Sequence, residues 1–302
     1  MLQLLLGGSG SGKTTLLYQR IRARAEKGEK SILLVPEQFT SSTEGRIYRE
    51  LGDALSGMVE SFSFTSLAEK ILSTEGGAAV QTLSDAGRAV LVRRALEELQ
   101  DNVHYYHRHR RSAAFCQMAA QTIDELKSAG LSGQQLAQLA GACGAESGKL
   151  SELALIFQGY ETLLARSGMD PSDRLELAGA RLEEALARHS LPEFLRDRAV
   201  FIDEFDTFNA PKKRLLGAML AALPSVTVAL CDDGAPLLPG DLSLFSGAKQ
   251  VAAQLRQLAR KNGAEVAVPQ LLRKDLRHRN APGLAAVAEL LETGSCTADA
   301  PA

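Results

Sequence analysis

Gly7-Gly8-Ser9-Gly10-Ser11-Gly12-Lys13-Thr14 is a G-x-x-x-x-G-K-[ST] run, and each residue type in it has a task in holding a phosphate chain. Glycines let successive backbone N–H groups curl around anionic oxygens. Lys13 reaches the terminal phosphates of a nucleoside triphosphate, and the Thr14 hydroxyl is placed to ligate Mg2+. The ATP cradle is therefore read as Gly7, Gly8, Ser9, Gly10, Ser11, Gly12, Lys13, Thr14 and Thr15. A second group with chemical potential lies far along the chain, where Asp203-Glu204 follows the apolar Val200-Phe201-Ile202. Asp203 is the expected partner of Thr14 on Mg2+, and Glu204 is placed to orient and deprotonate a water. An ATPase must activate water whereas a kinase must exclude it, so Glu204 argues for hydrolysis with Lys13 and Glu204 as its catalytic residues. Each motif by itself has a plainer reading, a flexible glycine turn and a solvated acidic loop.

A phosphate loop works only between a strand and a helix. Short apolar runs at residues 2–6, 31–35, 199–203 and 225–230 predict buried parallel strands, with a further short one at 59–61. Residues 13–27 predict the helix that joins the first two strands as a βαβ unit. Between about residues 83 and 190 the pattern turns to amphipathic helices separated by glycines, expected at 85–99, 115–128, 150–166 and 172–188. The fold class is α/β, a doubly wound parallel sheet interrupted by a large all-helical insertion. Residues 1–78 and 193–270 form the sheet domain, 79–192 the insertion, and 271–302 a tail whose small, polar end from Thr293 is expected to be disordered. Past Leu230 the expectations are a loop at 231–240, a helix at 248–262 and a strand at 264–268.

The chain carries 34 lysines and arginines against 36 aspartates and glutamates, a net charge of −2, so no global field draws it to nucleic acid. Any DNA contact must be local. One such place is His104-Tyr105-Tyr106-His107-Arg108-His109-Arg110-Arg111, a basic run interleaved with aromatics, in which Arg108, Arg110 and Arg111 are the phosphate-binding candidates; a solvated loop is the alternative. The four cysteines are scattered with no C-x-x-C pair, which fits buried small hydrophobes and a reducing compartment and leaves no expected zinc or iron–sulfur site. No stretch reaches the ~18 apolar residues of a membrane span, and the opening Met1 to Leu6 is too short for a signal peptide. A cytoplasmic protein with no membrane contact is expected.

Gly7 to Thr14, Leu33-Leu34-Val35-Pro36-Glu37-Gln38-Phe39-Thr40, Glu60-Ser61-Phe62-Ser63-Phe64-Thr65-Ser66-Leu67-Ala68 and Asp203-Glu204-Phe205-Asp206 together resemble the amino-terminal part of a superfamily I (UvrD/RecB-like) helicase. More narrowly, L-V-P-E-Q-F-T, then S-F-S-F-T-S-L-A, then a helical insertion ending at F-I-D-E-F-D-T-F, is similar to the AddB subunit of the AddAB helicase–nuclease over residues 1 to about 270. The resemblance implies a RecA-like P-loop domain that binds ATP and Mg2+. It implies an AddA-like helicase–nuclease partner in a heterodimer, and single-stranded or broken double-stranded DNA handled in double-strand break repair by recombination. It also implies strand-gripping loops at 38–42 and 63–65, with Phe39, Thr40, Ser63 and Phe64 as DNA contacts; core packing is the competing reading for Phe64. Subunits of that family are much longer, with a carboxy-terminal nuclease and cluster cysteines, so the chain is expected to be a fragment or truncated product without nuclease or iron–sulfur cluster. Leu230-Cys231-Asp232-Asp233-Gly234 lacks the glutamine that senses the γ-phosphate in active helicases, and by the resemblance the chain is expected to lack the second motor domain. Loss of a phosphate-neutralising arginine costs about 10³ or more in rate. The chain is therefore expected to bind ATP better than it hydrolyses it, and a non-catalytic scaffold that docks a partner is the alternative.

Overall fold

The computed structural model describes residues 1–77, 79, 81–144 and 147–293. Six strands, β1 (Leu2–Gly7), β2 (Ser31–Leu34), β3 (Val59–Phe62), β4 (Ala199–Ile202), β5 (Ser225–Cys231) and β6 (Gln270–Leu272), form one sheet in the order β3-β2-β4-β5-β1-β6. Every pairing is parallel. Parallel strands are covered on both faces, which is why β2 and β4 read as unbroken apolar runs and are buried throughout.

Early helices are α1 (Lys13–Ala25), α2 (Thr40–Leu51), α3 (Asp53–Ser56) and α4 (Phe64–Glu75). Side chains alternate across the sheet, so Leu5, Leu33, Phe201 and Ala229 share one face and pack against Leu17 and Ile21 of α1 and Ile47 and Leu51 of α2. The middle of the chain supplies α5 (Asp85–Glu98), α6 (Ala113–Ser128), α7 (Gly133–Ala140), α8 (Ser147–Ser167) and α9 (Pro171–Ala187), and the last part α10 (Ala210–Ala222), α11 (Ser246–Lys261) and α12 (Pro282–Thr293). Of these, α11 packs on β1 and β5.

Two compact units divide the chain. One comprises Met1–Leu67, Leu182–Phe208 and the residues from Leu216 on; the other comprises Ala68–Arg181 and Asn209–Leu215. The second has its own core, in which Val92 and Leu96 of α5, Ala119 and Ile123 of α6, and Phe157 and Tyr160 of α8 are buried. Inside it, Lys127 donates to Asp170 and Asp173 at 2.8 Å each, and the Tyr160 hydroxyl donates to Asp170 at 2.6 Å. Burial and that carboxylate hold the Tyr160 hydroxyl well above its ordinary pKa, which keeps it a donor.

Several expectations shift. The strand expected at 264–268 lies instead at Gln270–Leu272, and Val266 meets Leu2 only in an isolated bridge. Pro269 separates the two pairings because it has no N–H to donate to a ladder. Residues 38–42 are not a loop: a 3-10 turn at Glu37–Phe39 runs straight into α2. The stretch read as a tail contains part of β6 and all of α12, which opens with Pro282 in a position where its missing N–H costs nothing. Residues 294–302, expected to be disordered, and Cys296 lie outside the described residues.

Candidate functional site

The chain turns sharply between Gly7, the last residue of β1, and Lys13, the first of α1. Gly10 and Gly12 take left-handed φ values of 78° and 89°, which glycine adopts without penalty. At Gly7 the limit is space, since a Cβ there would lie 2.4 Å from Ser11 Oγ and 2.7 Å from the Leu272 carbonyl oxygen. The first turn of α1 holds no acidic residue and no side-chain cap, so its unpaired N–H groups and the positive end of the helix act without local competition. Lys13 Nζ donates to the carbonyl oxygens of Gly7 and Gly8 at 2.7 and 2.8 Å.

Asp203 follows β4 at the same, carboxyl, edge of the sheet, with β5 between its strand and β1. Its carboxylate is 5% exposed and accepts the Glu204 N–H at 3.1 Å. Burial raises the Asp203 pKa, and hydrogen bonds from the Thr14 hydroxyl and the Glu204 N–H, then the charges of Arg46 and Lys13, pull it part of the way back. Glu204 is raised by its own burial and then by the negative charge of Asp203. Its backbone sits at φ 64°, a left-handed conformation that costs a non-glycine residue of order 1 kcal/mol. These residues line one cleft of about 440 Å3 together with Ser9 to Thr15, Asp206 and Cys231.

Two lining residues were missed by sequence reasoning. Arg46, on α2, lies 4.9 Å over the ring of Tyr18 and lowers the pKa of both Asp203 and Glu204 by its charge. Arg277 donates to Ser9 Oγ at 3.0 Å, while the Leu276 N–H donates to the Gly10 carbonyl at 3.0 Å, so the segment after β6 lies against the glycine loop. The cluster Arg273, Lys274, Arg277 and Arg279 is the signal the sequence carries for it, in the stretch expected to be a tail.

The donor set suits Mg2+ with a nucleoside triphosphate. Left-handed glycines, Lys13 and a helix N-terminus meet the phosphates' needs, and Ser11 Oγ is buried in the loop without a hydrogen-bond partner. Thr14 and Asp203 offer hard oxygens on one side of it. Mg2+ usually takes one or two carboxylates plus phosphates and waters, so it does not require the cluster of three or more His, Cys, Asp or Glu that is lacking among the described residues.

The expected DNA contacts fare differently. Phe39 is 37% exposed at the surface turn, and the Thr40 hydroxyl donates to the Glu37 carbonyl at 3.0 Å. Ser63 and Phe64 are buried and engaged in the fold. Ser63 Oγ accepts the Ser66 N–H at 3.1 Å and the Ser63 N–H donates to Ser66 Oγ at 2.8 Å, a reciprocal cap on α4. The Phe64 ring packs edge-on against Phe205 and Phe208, with centroids 5.2 and 6.0 Å away. Arg108 and Arg111 are exposed in the connection between α5 and α6, and Arg110 is half-buried against the His107 ring.

The raised pKa of Asp203 has a stability consequence. Because the folded state holds this proton more tightly than the unfolded chain, the cost of ionising it is absent below the ordinary carboxylate pKa and grows to its full size as pH rises through the folded value. Asp203→Asn should therefore raise the Tm of the nucleotide-free chain at pH 7 and raise it less at pH 4. Thermal unfolding at both values checks this, and an equal gap at the two pH values would remove the burial argument.

Fold and site together describe a parallel α/β protein in which a glycine-rich strand-to-helix loop faces an Asp-Glu pair at the carboxyl edge of the sheet. Within that class the chain belongs to the AddB N-terminal family, whose model, described as "ADDB, N-terminal", matches residues 4–288. It is 34% identical over 296 residues to an ATP-dependent helicase/deoxyribonuclease subunit of Desulforudis audaxviator, covering 94% of this chain and 25% of that protein. The proteins of the same description from Moorella thermoacetica and Symbiobacterium thermophilum are 33% and 31% identical, covering 94% and 96% of this chain and 25% and 26% of theirs. The chain thus spans about a quarter of the length of these relatives, at their amino-terminal end. No helix among the described residues is long and apolar enough to cross a membrane.

Proposed function

We propose that this chain is the ATP-binding, helicase-like part of an AddB-type subunit of an ATP-dependent helicase/deoxyribonuclease. In this reading it is a RecA-like P-loop domain (residues 1–78 and 193–270) carrying a helical insertion (79–192). It works in the cytoplasm with an AddA-like partner on broken double-stranded DNA during recombinational repair. The observation that carries the reading is the convergence of Lys13 and Thr14 with Asp203 and Glu204 in one cleft, from positions far apart in the chain. There the loop N–H groups and Lys13 hold the phosphates, Thr14 and Asp203 hold Mg2+, and Glu204 accepts the proton of the attacking water. Mg2+, when bound, neutralises phosphate charge. DNA meets the surface turn at Phe39 and Thr40.

The second reading, a nucleotide-binding scaffold that docks a partner, is favoured by one feature, the absence of a glutamine from Leu230 to Gly234. Asp232 in that stretch is buried and accepts the Gly234 N–H at 2.7 Å, a local turn. ATP binding and turnover, measured on the chain with and without single-stranded DNA, decide between the two. DNA-stimulated turnover supports the ATPase, tight binding without turnover supports the scaffold, and no binding removes both.

A further inference from the structure

Among the described residues, three cations line the cleft, Lys13, Arg46 and Arg277, and two of them are already engaged by the fold. Lys13 donates to the carbonyls of Gly7 and Gly8, and Arg277 donates to Ser9 Oγ. Arg46 makes no hydrogen bond or ion pair among the described residues. Glu50 stands four residues further along α2, the spacing at which helix side chains usually pair, yet the guanidinium lies 4.9 Å over the Tyr18 ring instead. Tyr18 fixes where that charge is held. It follows Thr14 by four residues on α1, hence on the same face one turn along, and it is buried in the core that α1, α2 and the sheet share. A guanidinium seated on an immobile ring is pre-organised, because its flat face rests on the ring while the N–H groups at its edge stay free to donate.

The charge stands on the acidic side of the cleft. It bears on both Asp203 and Glu204, and on each of them more strongly than the charge of Lys13 does. That side needs a cation once a nucleotide is present. Asp203, Glu204 and Asp206 already line the cleft, and the outermost phosphate of a nucleoside triphosphate brings more negative charge next to the carboxylate that must accept a proton. A free guanidinium beside that carboxylate offers directed donors for planar recognition of phosphate oxygens.

We propose that Arg46 contacts the γ-phosphate, so that the cleft distinguishes a nucleoside triphosphate from a diphosphate and neutralises the charge that builds on that phosphate during hydrolysis. The inference rests on the nucleotide reading of the cleft given above, and the experiment separates the failure of one from the failure of the other.

ADP and a non-hydrolysable ATP analogue with a β,γ-methylene bridge are titrated calorimetrically into the full chain, with Mg2+ and again in EDTA. Wild type should favour the triphosphate. Arg46→Ala should weaken the triphosphate about 30-fold, the loss of one charge-assisted contact, and change ADP less than about threefold. Arg46→Lys keeps a positive charge in the cleft and should recover most of the preference. An effect carried only through the acidic pair would weaken the Mg2+ complexes of both nucleotides and vanish in EDTA, so a triphosphate-selective loss that persists in EDTA is the result direct contact requires. A melting curve accompanies each variant, and Arg46→Gln carries the same comparison if Arg46→Ala does not fold. Equal loss for the two nucleotides, no loss for either, or a loss seen only with Mg2+ would overturn the proposal and leave the phosphate loop standing. If wild type binds neither nucleotide, the nucleotide reading itself is removed and this inference goes with it.

Discussion

Lys13→Ala is expected to weaken Mg2+·ATP binding on the order of 10²-fold and to leave the fold intact. Two charge-assisted hydrogen bonds from one ammonium to phosphate oxygens are worth about 3 kcal/mol together, and each 1.4 kcal/mol is tenfold in affinity. The structural cost is small because Lys13 bridges only the carbonyls of Gly7 and Gly8, within the loop it serves. There is an indirect effect as well. Lys13 and Arg46 are the two cations that pull the pKa of Asp203 and Glu204 down, so removing one leaves the acidic pair harder to ionise and a poorer seat for Mg2+. Calorimetric titration of ATP into wild type and variant checks the affinity, and a melting curve checks the fold. Equal affinities would end the assignment of Gly7 to Thr15 as a phosphate cradle.

What could be read before the fold was known follows from where each signal resides. The loop and the acidic pair are contiguous motifs flanked by strands buried on both faces, and such strands announce themselves as apolar runs: β1, β4 and β5 lie within a residue of their expected bounds. Arg46 gave no signal of its own. It lies on α2, which starts in Thr40-Ser41-Ser42-Thr43 with no side-chain cap, so nothing local marks a helix there. Only the packing of that helix beside α1 brings its guanidinium to Tyr18 and the acidic pair.

Phe62 and Phe64 illustrate a different limit. The short strand expected at 59–61 runs one residue further, to Phe62, and α4 begins at Phe64, so the two rings meet different partners. Phe62 meets Phe194 at 6.4 Å, and Phe64 meets Phe205 and Phe208. The left-handed backbone of Glu204 was equally hidden, because the favoured residues for that region are glycine and asparagine and a glutamate there is set by its surroundings.

Glu204→Gln is expected to lower ATP turnover by about 10² to 10⁴ while changing ATP affinity only a fewfold, since an amide keeps the shape but cannot accept a proton. Burial and the charge of Asp203 raise the Glu204 pKa and make it a stronger base at neutral pH than a free glutamate. Protonated below that raised pKa, it is idle, so wild-type turnover should climb as pH passes upward through it, and the residual turnover of the variant should lack that limb. The backbone offers a control. Glu204→Gly relieves the left-handed φ of 64°, so it should melt higher than wild type and still turn over no faster than Glu204→Gln. A residue held in a strained conformation whose relief stabilises the chain but abolishes turnover is positioned for chemistry. If wild type and Glu204→Gln hydrolyse ATP at the same rate, in the presence or absence of single-stranded DNA, Glu204 is not the base and the scaffold reading of the cleft takes its place.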